Sequence, residues 1–570
     1  MSLSVDPSLR EFPRPAPALS RVALLYLRGR DADARIESLV AERRALRPGL
    51  GVLAARFVKR RHHEALGFRS LGDYGRERLG VTAHALREWA RVAEALASLP
   101  KLREAVGSGA VSWSVARRAV AHATPETDPA FAAALRGRTV RAAEVMLRAA
   151  FGEAFEREDE ARARGRERVR VSVPLAAAAH PRWLAALELA RAVAGEALPV
   201  WECAEAIAAE ALAALSPTCV ARAAEGLEPL GIASDSAMGA PRRRPQRTAI
   251  PDARSREHGL RHEAFAPLRW PLRPAPAEPD PLDRLAAWAE SASPHALDAA
   301  LRRRLRRLQR VDHDLGQILR QVLDRRLYRE LGFSSFERYA EERADVSPRT
   351  ARRWVRLARA GPAGGALATA LRAGEITTLQ ASVLADTSCP GEPQPSVAAA
   401  VSYARGVTLR RLEDDRAADP SAPGAIHFCA PPEAANVFRL ALAAVALDHG
   451  AAGPGEALRW MIEHAISEWT AQGDSFDDYA DFSRDGFRCT APGCTARRNL
   501  HSHHIVFRSH AGTDEPRNRT TLCAFHHLRG IHAGTVSCRG HAPDDLVFEL
   551  GVRTSGPPLV RARSKDVLLA

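Results

Sequence analysis

At 570 residues, with 46% of them hydrophobic, the chain is too long for one core and apolar enough to build about three to five. A formal charge of +14 and a pI near 10.1 favour a polyanionic partner over a basic one. With no run of eighteen apolar residues and no charged-then-apolar N-terminus, the reading excludes a membrane span and a secretory leader and expects a cytoplasmic protein.

Arginine supplies nearly all the positive charge, since lysine occurs only as Lys59, Lys101 and Lys565. Its planar fork matches phosphate, but a GC-rich genome would give the same bias, so charge alone identifies no partner.

In chain order, a first helical region spans 22–216. Offsetting the chain by 265 then aligns 50–116 with 315–381 without a gap. Leu66-Gly67-Phe68 meets Leu331-Gly332-Phe333, Tyr74 meets Tyr339, Trp89 meets Trp354 and Gly109 meets Gly374. The strand-like 168–174, followed by helical sequence, parallels 425–431. The expectation is a mainly α protein with two duplicated helical regions, each with one short strand, the second covering 286–475. Between them 217–285, rich in Pro and Arg, reads as a disordered linker.

Within the second region, Ser347 reads as a helix N-cap with Pro348 at the first helical position, after a preceding helix and a tight break. The helix that follows places Arg349, Arg352, Arg353 and Arg356 on one face and leaves Trp354 and Leu357 for the core. This is a helix-turn-helix outline with a basic second helix. An ordinary solvated arginine face has the same pattern, and both readings stand. The first region is less basic here, with His84, Arg87, Glu88 and Arg91.

Cys203, Cys219, Cys389 and Cys429 are scattered in apolar surroundings and read as buried, inert thiols. Cys489, Cys494, Cys523 and Cys538 instead crowd together among histidines, which in a reducing compartment suggests metal before disulfide. Cys489 and Cys494 flank a Pro-Gly turn, and Cys523 with His526 forms a C-x2-H pair, giving the four ligands of a closed structural Zn2+ site. Cys538 falls in a strand-like stretch and reads as idle.

The other histidines need a second purpose. His503 and His504 lie on a strand whose alternation sends them to opposite sides, a loop runs through Asn518, and His527 opens a helix. Phosphodiester hydrolysis requires a metal to polarise phosphate, a base near neutral pKa and a brace for that base.

At these residues the chain resembles the HNH nuclease family, whose fold is a small α+β ββα-metal unit, here over 483–540 with a zinc knuckle and followed by a short β tail over 541–570. The matching residues are His503, His504, Asn518 and Leu522 to His527, about fifty residues of the chain in all. The resemblance implies that His503 and His527 hold a catalytic divalent cation such as Mg2+, that His504 is the general base, and that Asn518 fixes the loop. His526 stands where the family usually has a second cysteine. Ahead of this module the chain resembles bacterial HNH proteins with a long helical N-terminal domain.

There are two departures. Ala511-Gly512 replaces the family's Gly-Gly, so the loop is expected to reach positive φ less freely. His532 follows His527 by five residues rather than four, which on an α-helix rotates it by about 100° and leaves its ligand role open. The functional expectation is a metal-dependent endonuclease acting on double-stranded DNA. The alternatives are a zinc-stabilised nucleic-acid-binding protein without turnover, and an RNase.

Overall fold

The computed structural model describes residues 20–151, 168–176, 179–195, 198–227, 280–387, 394–418, 425–471 and 480–569. Its backbone is mainly helical, with small antiparallel sheets. Two 31-residue helices, Gly29–Lys59 and Pro294–Asp324, begin 265 positions apart and pack against each other. After each comes a left-handed arginine (Arg61, Arg326), a single helical turn (His62–Ala65, Leu327–Glu330) and a left-handed glycine (Gly67, Gly332). A helix then starts at Leu71 or Phe336, again 265 apart.

Contacts between the two stretches run both ways. The Tyr74 hydroxyl donates to Asp298 at 3.1 Å, and the Tyr339 hydroxyl donates to Asp33 at 3.1 Å. Glu42 and Arg307, which occupy corresponding positions, pair with each other at 2.9 Å. One core results, in which Leu50, Phe57, Tyr74 and Trp89 are buried together with Leu315, Val322, Tyr339 and Trp354. The expected short strands likewise meet: β1 (Val169–Pro174) pairs antiparallel with β2 (Ala425–Ala430), Val171 opposite Phe428. A lone strand would leave both ladder edges unpaired, and each region's strand meets that need in the other. Helices flanking this ribbon form a second core that joins Trp183 and Ile207 to Phe438 and Ile462.

Helices occupy both ends of the stretch expected as a linker over 217–285. Ser216 caps a helix over Pro217–Glu225 and Asp280 caps one over Pro281–Ser291. Both caps offer a side-chain oxygen to the free N–H groups of a first turn. The remainder, 228–279, and also Cys389, lie outside the described residues; of the other cysteines expected to be buried, Cys203 is, Cys219 is half-buried and Cys429, on β2, is exposed.

The two helices expected around Ser347 span Phe336–Glu342 and Pro348–Ala360, with the Ser347 hydroxyl accepting from the Thr350 N–H. Trp354 joins the first core and Leu357 a third, with Leu371 and Ile376.

Two sheets form the C-terminal part. β3 (Leu500–His504) pairs antiparallel with β4 (Arg519–Cys523). β5 (Val536–His541), β6 (Asp545–Leu550), β7 (Val560–Arg563) and β8 (Val567–Leu568) make a four-stranded antiparallel meander. The residues expected as a tail from 541 are therefore integral: Leu546 and Phe548 share a core with Cys489, Leu522 and Cys523. No described helix is long and apolar enough to cross a membrane.

Candidate metal centre and histidine cluster

Cys489 and Cys494 are brought together by a turn in which Gly493 takes φ +67°. The Cys489 N–H closes the turn by donating to Ala496 O at 2.9 Å, and the Thr490 N–H ties it to β4 through Thr521 O at 2.9 Å. Cys523 ends β4, and His526 lies three residues on. The ligand atoms of Cys489, Cys494, Cys523 and His526 all lie within 4.8 Å of one another, and all four residues are buried. This Cys3His group fits a metal such as zinc.

The His526 ring supports that fit. Its Nδ1 lies 3.2 Å from Cys523 Sγ and 3.5 Å from Cys489 Sγ, while its Nε2 lies 3.0 Å from Gly67 O. An N–H given to a backbone carbonyl fixes the tautomer, leaving Nδ1 to ligate. The thiols share protons unequally: hydrogen bonds from Cys489 and Cys523 hold Cys494 well below the ordinary thiol range, while burial pushes Cys489 well above it. A thiolate is thus already favoured among the sulfurs.

The sequence held no sign of Arg410, which supports the knuckle from behind. One guanidinium nitrogen donates to Cys489 O and Ala491 O at 3.0 Å and to Cys494 O at 2.5 Å. Burial alone would depress this arginine, but its ion pair with Asp566 keeps it charged.

Alternation along β3 separates the remaining histidines as expected. His503 is 2% exposed, whereas His504 reaches toward solvent and its Nε2 lies 2.7 Å from Asp514 Oδ1. Asn518 braces the loop in between. Its Oδ1 accepts from the Val506 N–H at 2.9 Å, and its Nδ2 donates to Val506 O at 3.1 Å and to Thr513 O at 2.8 Å.

The loop turns despite the missing glycine, since Ala511 adopts φ +61°. That conformation costs an alanine about 1 kcal/mol. Gly512 is the residue without substitute, because a Cβ there would fall 1.8 Å from Val506 O.

The segment expected as an α-helix is instead π-wound over Phe525–Ile531, and the His532 N–H donates to His527 O at 3.2 Å. In an i to i+5 winding the fifth residue returns above the first. His532 is therefore not rotated away: its ring centroid lies 5.0 Å from His527 and 6.4 Å from His503, and the His503 and His527 rings are 4.9 Å apart.

His501, which the sequence reading passed over, joins this cluster through Nδ1, 2.9 Å from His527 Nδ1. Its signal was the two-residue strand period from His503. Burial, and next the charges of His527 and His532, hold His503 down to about 3, so the ring is neutral at physiological pH, the form that ligates metal.

The histidine cluster offers only imidazole nitrogens, whereas Mg2+ seeks oxygen, so the expectation of Mg2+ is not supported. Cys538 lies in β5 outside the Cys3His group, its thiol pushed up to about 12 by burial.

Arg349, Arg352, Arg353 and Arg356 are all exposed on the Pro348–Ala360 helix, and Arg352 is ion-paired with Glu337. Among the described residues this helix packs chiefly against Pro294–Asp324 and Phe336–Glu342. No protein-family model, curated protein or solved structure matches the chain.

Proposed function

We propose that the C-terminal module is an HNH-type, metal-dependent endonuclease acting on duplex DNA, and that the two corresponding helical stretches arose by duplication and deliver it to its substrate. The observation that carries this reading is the convergence of His503, His527 and His532 on one side of β3, with His504 on the other. A divalent cation held by these three rings would polarise a phosphate oxygen, and their nitrogen donors favour Zn2+ or Ni2+ over Mg2+.

The chain's own groups would do the rest. His504 gives its Nε2–H to Asp514 and keeps Nδ1 free to take a proton from water. Asn518 holds the loop from Val506 to Thr513 so that this pair stays in register. The Cys3His group has no open position, which suits a structural zinc and not a second reaction centre. Exposed Arg349, Arg353 and Arg356 would meet backbone phosphates.

Supercoiled plasmid and labelled RNA, each incubated with the metal-stripped and repleted protein, test the reading. Plasmid cleavage is expected with Ni2+ or Zn2+, weaker with Mg2+, and absent with chelator. Binding without cleavage under every ion would instead leave the non-catalytic zinc module, and cleavage of RNA alone would make it an RNase.

A further inference from the structure

A cavity of about 350 Å³ lies where both helical stretches meet the C-terminal meander, apart from the histidine cluster. It falls within the size range of small-ligand sites. Five arginines (Arg78, Arg302, Arg306, Arg405 and Arg561) line it against two glutamates, Glu77 and Glu375. The glutamates are already engaged: Glu375 pairs with Arg405, and Glu77 accepts from the Leu409 and Arg410 N–H groups at 2.7 and 2.9 Å.

Arg302 is an uncompensated charge. Among the described residues it forms no ion pair. The carboxylate that acts on it, Asp298, is already claimed by Arg78 at 2.9 Å and by the Tyr74 hydroxyl at 3.1 Å. Burial and the like charges of Arg78 and Arg306 depress it to about 10.

The corresponding place in the first stretch acts as an internal control. There Arg343 pairs with Asp33, as Arg78 does with Asp298, but the counterpart of Arg302 is Glu37, which stabilises Arg343. The same helical frame therefore carries a cluster of net charge −1 (Asp33, Glu37 and Arg343) on one side and, facing the cavity, one of net charge +1 (Asp298, Arg78 and Arg302). Gly374, at φ +74°, lets the Arg306 stem lie alongside, since a Cβ there would meet Arg306 Cγ at 2.9 Å. Leu305, Ile376 and Val560 add apolar wall.

We propose that this cavity binds a small phosphate monoester of nucleotide size, its phosphate between Arg302 and Arg306 and its apolar part against Leu305, Ile376 and Val560. Planar guanidinium donors favour phosphate, and a dianion would bring the cavity cluster from net +1 to the net −1 of its counterpart in the first stretch.

Calorimetry on the full zinc-loaded chain, with inorganic phosphate and deoxyadenosine 5′-monophosphate as probes, tests this. Both should bind saturably, the nucleotide about tenfold tighter. Arg302→Glu and Arg306→Gln should each weaken both by about tenfold or more while the melting curve is kept. His527→Ala should bind both as the wild type does, which separates this site from the histidine cluster and from the nuclease reading. No saturation by about 5 mM of either probe, affinity unmoved by both arginine variants, or loss in His527→Ala would overturn the proposal. Equal affinity for the two probes would overturn its nucleotide-sized part.

Discussion

His526 is engaged through both ring nitrogens, one toward sulfur and one toward Gly67 O, while its neighbour His527 turns to the other histidines. His504, on the opposite face of β3, touches neither group and meets a carboxylate. Three substitutions should therefore differ in kind. His504→Ala should keep divalent-metal and DNA binding and lose about two to four orders of magnitude in cleavage rate, as expected for removal of a general base. His527→Ala should weaken metal binding, with activity partly restored by raising the metal concentration through mass action. His526→Ala should release zinc and lower the melting temperature, because four ligands tie knuckle, strand and helical turn together. Metal titration, plasmid cleavage and thermal melting on the same preparations read all three. A His504→Ala protein cutting at the wild-type rate would defeat the nuclease mechanism.

Among the elements, the π-wound Phe525–Ile531 segment decides whether His532 belongs to the site. Five residues on an α-helix turn by about 140° past a full revolution, and on a π-helix by about 50°, close to the four-residue α spacing. Inserting one alanine after the exposed Leu528 should swing His532 off the cluster and weaken divalent-metal binding by about tenfold, while zinc in the Cys3His group is retained. Unchanged metal affinity would remove His532 from the ligand set. On the Pro348–Ala360 helix, changing Arg349, Arg353 and Arg356 together to Gln should weaken DNA binding and reduce the slope of log affinity against log salt by about one unit per lost contact. An unchanged slope would leave a solvated arginine face.

For the whole molecule, Glu77 joins the helical body to the C-terminal part by capping the Leu409–Ala418 helix that carries Arg410. Burial pushes its carboxyl up to about 7 from 4.5, against the opposing pull of the two backbone donors. A raised folded-state value means that the native state holds the proton more tightly. The stabilisation is full below about pH 4.5 and is lost as pH rises through 7. Subtracting the stability of Glu77→Gln from that of the zinc-loaded wild type should leave a term falling by about 2–3 kcal/mol between pH 5 and 8. A flat difference, measured by urea unfolding across that range, would show that the carboxyl does not change its charge in place.

Local chemistry was legible before any coordinates. The Ser347 cap, the spacing of the four zinc-type ligands, the alternation of His503 and His504 and the 265-residue offset all rest on contacts between near neighbours or on repeated pattern. The cavity charge, Arg410 behind the knuckle and Gly67 against His526 join residues far apart in the chain, so no local period announces them. Nor does composition reveal that the two helical stretches share one core: each has an apolar face of its own, and only packing shows that the faces cover each other. Gly67 and Gly332 make the point most closely, with φ of +80° and +82°. Equivalent sequence gives both turns the same backbone, but a Cβ on Gly67 would meet Gly551 N and Val536 at 3.0 Å, while nothing lies within 4 Å of one on Gly332. Conformation follows from the residue itself, whereas which turn receives the metal module depends on where the rest of the chain comes to lie.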